Sequence, residues 1–115
     1  MPTIRSTKLL TGADGQRCVN CGVTDGTVVA AHYQGIRAQL LGKGKGAKPH
    51  DLCVADLCSE CHRKFDNYEV SAMSTKYLRQ IDQSEQFLFC IIQTLLRRIE
   101  QGVITVEGTV KEQQQ

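Results

Sequence analysis

Hydrophobic and polar positions change period several times along the chain, and each change predicts an element. Met1 to Gln16 shows little periodicity, carries Arg5 and Lys8, and reads as an extended basic arm. Thr27 to Tyr33 opens with β-branched and apolar residues, which predicts a strand with His32 at its end. Gln34 to Leu41 predicts a short helix with Ile36, Leu40 and Leu41 turned inward. Gly42 to Pro49 alternates glycine and lysine and reads as a flexible loop. His50 to Leu57 predicts a second strand, with Cys53 facing the core, that runs into a helix spanning Cys58 to Asp66. Val70, Met73, Tyr77 and Ile81 then recur every three or four residues, a helical stripe. Ser84 is expected to cap a longer helix reaching about Gln101, with Phe87, Leu88, Cys90, Ile91, Leu95 and Ile99 apolar. Gly102 ends that helix, Val103 to Val106 reads as a short strand, and Gly108 to Gln115 as a frayed tail.

This order predicts a single α+β domain: an arm over 1–16, a core over 17–69, a helical segment over 70–102 and a tail over 103–115. The apolar arc of the last helix is wide enough to pack on the core or on another copy of itself. A homodimer, or a protein partner held through this helix, is therefore expected.

Composition changes the picture at one point. A chain of 115 residues with three Phe, three Tyr and no Trp has a small core with few large side chains. Such a chain often needs a metal or disulfides to stay folded. Six cysteines are present, but Met1 to Leu10 lacks the apolar core of a signal peptide, and four of the cysteines form two Cys-x-x-Cys pairs. That is a metal-ligand pattern, and it places the expected setting in a reducing cytoplasm. No apolar run approaches the ~18 residues that span a bilayer, so no membrane contact is expected.

Charge is uneven. Residues 1–50 hold seven Lys/Arg against two acids, and residues 51–115 hold seven against ten. The basic half suits a polyanion such as nucleic acid, although a solvated surface with uneven charge gives the same count. Arg37, Lys43, Lys45 and Lys48 have no acid among them and can reach a phosphate backbone without reading sequence.

The candidate chemistry sits around Cys58-Ser-Glu-Cys-His-Arg-Lys-Phe-Asp66. Cys58 and Cys61 at i and i+3 can grip one zinc ion from a helix N-terminus, and Cys18-Val-Asn-Cys21, followed by Gly22, supplies the matching turn. Buried or redox-active thiols are the alternative. His62 and Asp66, one helical turn apart, can point at a second ion. Alternatively His62 serves the zinc. His32 lies at the end of the first predicted strand, between the two zinc half-sites in sequence. Arg63 and Lys64 flank the helix pair and could add positive charge. Asp51 is expected to hold its loop by hydrogen bonds, and Cys90 to pack within its helix.

Cys18-x-x-Cys21, Ala30-Ala-His32, the Gly/Lys loop ending in Lys48-Pro49, Asp51-Leu52 and Leu57-Cys58-x-x-Cys61-His62-x-x-x-Asp66 together resemble the HNH (ββα-metal, treble-clef) endonucleases. The small phage and prophage members, including recombination-associated ones, are most similar. The resemblance covers roughly residues 17–67. It implies a structural zinc on Cys18, Cys21, Cys58 and Cys61, a catalytic Mg²⁺ or Mn²⁺ on His62 and Asp66, and His32 as general base. It further implies DNA as substrate, with recombination or branched intermediates among the candidates, in a bacterial host cell. Two departures accompany it. Ala31 stands where many members carry a metal ligand, and Asp51 is the nearest counterpart of the middle Asn. A non-enzymatic zinc-binding DNA adaptor, or a protein-interaction module, is the competing expectation.

Overall fold

The structure is a computed structural model that describes residues 3–42, 47–110 and 112. In chain order it contains helix α1 (Thr7–Thr11), strand β1 (Val29–His32), a 3-10 turn (Ala38–Leu41), strand β2 (Val54–Leu57), helix α2 (Ser59–Asp66) and helix α3 (Lys76–Glu100). It is a small α+β arrangement with one two-stranded sheet among the described residues. No helix among them is long and apolar enough to cross a membrane.

β1 and β2 pair antiparallel, with Val29 opposite Leu57, Ala30 opposite Asp56, Ala31 opposite Ala55 and His32 opposite Val54. The two-residue period of a strand puts Ala31, Ala55 and Leu57 on one face and His32 and Val54 on the other. The first face joins the main core with Phe65 of α2 and Phe87 of α3. Phe87 stands edge-on to Tyr33 at 5.5 Å and tilted against Phe65 at 4.9 Å, the arrangement that aromatic quadrupoles favour.

A two-stranded sheet leaves two edges with unpaired peptide groups. The outer edge of β2 is closed by side chain and loop. The Asp56 N–H donates to Thr94 Oγ1 of α3 at 3.0 Å, and the Asp56 carbonyl accepts from the Val19 N–H at 2.9 Å. The long helix and the cysteine turn are thus hydrogen-bonded to the same strand residue.

Four expected elements differ from those observed. The arm is not extended throughout: Ser6 caps a helical turn by accepting from the Leu9 N–H, and Leu9 is buried. In the 34–41 stretch only Ala38 is buried, whereas Ile36 and Leu40 are exposed; four residues of 3-10 structure cannot turn three bulky side chains inward. The stripe from Val70 does not make a separate helix. Thr75 caps α3, and Ser84 lies inside it with its hydroxyl on that of Tyr33. No glycine or proline interrupts Lys76 to Glu100, so one helix continues where two were expected. It ends as expected at Gly102, whose φ of 76° lets Gly102 and Val103 N–H groups return to the Ile99 and Arg98 carbonyls. Beyond it, Val103 to Val106 forms no strand.

Candidate functional site

The four paired cysteines come together although 37 residues separate Cys21 from Cys58. The first pair sits on a tight turn closed by the Gly22 N–H on the Cys18 carbonyl at 2.9 Å, with Gly22 at φ 84°. A side chain at that φ is disfavoured, which is why glycine stands there. The second pair straddles the start of α2. Cys58 is its N-cap, in extended backbone, and its Sγ accepts from the Cys61 N–H. All four Sγ atoms lie within 4.8 Å of one another. Cys21 Sγ and Cys58 Sγ are 3.7 Å apart, against about 3.8 Å for the edge of a tetrahedron with Zn–S bonds of ~2.3 Å.

Their electrostatics ask for a cation. Burial opposes ionisation at Cys18, but the Cys21, Cys58 and Asn20 N–H groups bring it down to about 7. Burial pushes the Cys58 and Cys61 thiols up. Asn20 Nδ2 donates to Cys61 Sγ at 3.3 Å, the kind of bond that stabilises a thiolate. One thiolate forms readily here, but four do so only when a metal takes the place of the protons. The cluster can hold a metal such as zinc. Among the described residues it is the one grouping of three or more metal-ligating side chains.

His62 and Asp66 do meet on one face of α2. His62 Nε2 and Asp66 Oδ2 are 3.7 Å apart, with the side chains 38% and 51% exposed. They open on a cleft of about 520 Å³ shared with Thr27, Val29, Ser59 and Arg63. Two donors with free access from solvent fit a weakly held ion that keeps most of its waters.

His32 belongs to a different contact. Its Nε2 lies 2.8 Å from Oδ1 of Asp51, a buried carboxylate that also accepts from Arg5 Nη1 at 3.0 Å and from the Ser6 N–H at 2.8 Å. Burial opposes ionisation of Asp51, yet the hydrogen bonds from His32, Ser6 and Arg5 hold it below the usual carboxylate range. An ionised carboxylate only accepts, so His32 Nε2 carries the proton and donates. Its Nδ1 then keeps a lone pair when the ring is neutral. Asp51 holds its loop as expected and orients His32 as well. His32 is not a wall of the cleft beside His62 and Asp66; His32 pairs with Asp51, and His62 with Asp66.

The basic residues divide. Arg37 and Lys48 are exposed, and Lys43 and Lys45 lie outside the described residues. The Arg63 guanidinium is held by Glu60 at 2.6 Å and by Glu69 at 2.7 Å. Lys64 is half-buried. Cys53 and Cys90 are packing thiols, both pushed up by burial, Cys90 to about 11. His50 acts as a brace, taking the Ile4 N–H on Nδ1 at 2.8 Å.

Arg5, Asp56 and Arg98 escape the sequence reading. Each works through a partner more than 40 residues away, Arg5 with Asp51 and Arg98 with Asp56, and no local spacing signals such a pair. No family model matches the chain, and comparison with curated proteins and with solved structures returns no match.

Proposed function

We propose that this chain is a metal-dependent DNA endonuclease of HNH type, with a treble-clef ββα-metal core pinned by a zinc ion on Cys18, Cys21, Cys58 and Cys61. The observation that carries the reading is the cluster of four thiols whose second pair opens α2, the helix that also brings His62 and Asp66 together. Asp51 holds one nitrogen of His32 at 2.8 Å, and the other nitrogen is the one that would take a proton from an attacking water. His62 and Asp66 would hold a Mg²⁺ or Mn²⁺, which when bound supplies positive charge for the phosphate and for the leaving 3′-oxygen. Arg37, Lys48 and the lysines of the 42–49 loop supply sequence-independent attraction for the DNA backbone. Recombination or branched intermediates in a phage-infected cell are the substrates that the resemblance suggests.

The test is incubation of supercoiled, linear, single-stranded and branched DNA with the zinc-loaded protein and Mg²⁺ or Mn²⁺. EDTA-sensitive cleavage is expected, reduced about 10²–10⁴-fold in His32→Ala, the cost of losing a general base. Cleavage by His32→Ala at the wild-type rate overturns the assignment. A second reading, a non-enzymatic zinc-binding DNA adaptor, is favoured by the absence of His32 from the cleft walls. Salt-sensitive binding of the same DNA without cleavage in either metal selects it.

A further inference from the structure

Helix α3 has a second apolar face that none of the described residues covers. Phe87, Cys90 and Ile91 are buried in the core, but Phe89, Ile92 and Leu96 are 57%, 55% and 60% exposed, and Leu78 and Ile81 are exposed as well. At 100° per residue, Leu78, Ile81, Phe89, Ile92, Leu96 and Ile99 fall on one stripe along a helix of 25 residues, about 37 Å long. Five exposed side chains of this size make a patch comparable with the largest on a typical monomer, about 300–600 Å².

Much of that stripe is symmetric about a point between Leu88 and Phe89, from which positions 78 and 99, and 81 and 96, are equidistant. An antiparallel second copy centred there sets Leu78 near Ile99, Ile81 near Leu96 and Phe89 beside its equivalent, while Ile92 meets the exposed Glu85. The polar flank agrees. In the same arrangement Arg79 faces Glu100 and Gln86 faces Gln93, opposite charges in the first case and amides in the second. A parallel pairing would set each charge against its own kind. Beside the stripe, between α3 and the cysteine turn, runs a groove of about 720 Å³ lined by Arg17, Asn20, Leu96, Arg97 and Glu100. It leaves room for the flanking side chains of a second helix.

We infer that this face is an isologous dimer interface, in which α3 packs antiparallel on α3 of a second copy. Two such patches, at about 300–600 Å² each, approach the lower end of the ~1,200–2,000 Å² that stable interfaces bury. A two-fold axis requires such a self-complementary surface. The inference does not rest on nuclease activity.

Sedimentation of the full zinc-loaded chain tests it. The expected mass is twice the 12.8 kDa of one chain. Phe89→Glu combined with Ile92→Glu is expected to sediment as a monomer with unchanged helical circular dichroism and zinc content. Arg79→Glu and Glu100→Arg are each expected to weaken the dimer about tenfold, and the two together to restore it to within about threefold. A wild type that is monomeric at 100 µM (a concentration on the order of that needed to populate weak dimers) overturns the inference and assigns the face to another partner. A dimer that survives Phe89→Glu with Ile92→Glu, or charge reversals that fail to compensate, overturns the antiparallel α3 pairing.

Discussion

Arg98 and Asp56 form an ion pair closed off from water, with the side chains 1% and 0% exposed and contacts of 2.5 Å and 2.8 Å between guanidinium and carboxylate. Arg97 adds a third contact to the same carboxylate at 2.9 Å, and Arg98 Nε donates to the Leu9 carbonyl at 2.8 Å. The pair therefore ties the end of α3 to β2 and to α1 at once.

Removing one member leaves the other charge buried without its partner. Arg98→Met and Asp56→Ala are each expected to cost about 3–5 kcal/mol. Asp56→Ala combined with Arg98→Met should cost clearly less than the sum, since no fully buried charge is then stranded. Urea unfolding of the four proteins checks this, and strictly additive losses would refute it.

The cysteine turn and the start of α2 are joined by thiols, so the metal is expected to contribute directly to folding. Elemental analysis should find one zinc per chain. A strong chelator should lower the melting temperature and the helical signal, and added zinc should restore both. Cys58→Ser should abolish stoichiometric zinc. Unchanged melting in the chelator would show that the thiols hold the fold without an ion.

Asp51 predicts an acid-sensitive contribution. Its folded pKa lies below its unfolded value of about 3.9. The associated stability is therefore fully present above that unfolded value and is lost as pH falls through the folded one. The stability difference between wild type and Asp51→Asn should be largest near neutral pH and shrink below about pH 4. Urea midpoints at several pH values measure it, and a difference that grows toward acid contradicts the assignment.

Gly35 lies against the buried ring of Tyr33, and an added Cβ would collide with the ring and its hydroxyl. Tyr33 cannot retreat, because it is fully buried against Phe87 and its hydroxyl is bonded to Ser84. Gly35→Ala is expected to cost about 1–3 kcal/mol, the range for overpacking. Thermal unfolding checks it, and a variant as stable as wild type would mean that the ring can move.

The two Cys-x-x-Cys pairs were readable in the sequence as a single centre because thiol chemistry constrains spacing closely. The helical spacing of His62 and Asp66 was readable for the same local reason, as were both strands. The division of the C-terminal half was not. Tyr77 and Ile81, read as the end of one helix, belong with Ser84 to a single longer one, because the hydroxyl of Ser84 finds Tyr33 and has no cap to make. Local pattern does not tell a capping serine from one whose partner lies 51 residues away.

By itself the amino-acid sequence determined the α+β class, the four-thiol cluster, and the one-turn pairing of His62 with Asp66. Each depends on residue types a few positions apart, whose geometry the backbone imposes locally. Only the tertiary structure decided that His32 answers to Asp51, that Arg63 is held by Glu60 and Glu69, and that Arg98 is buried on Asp56. Charged side chains take the partners that folding brings within about 3 Å, and for Asp51 and Asp56 those partners come from distant parts of the chain.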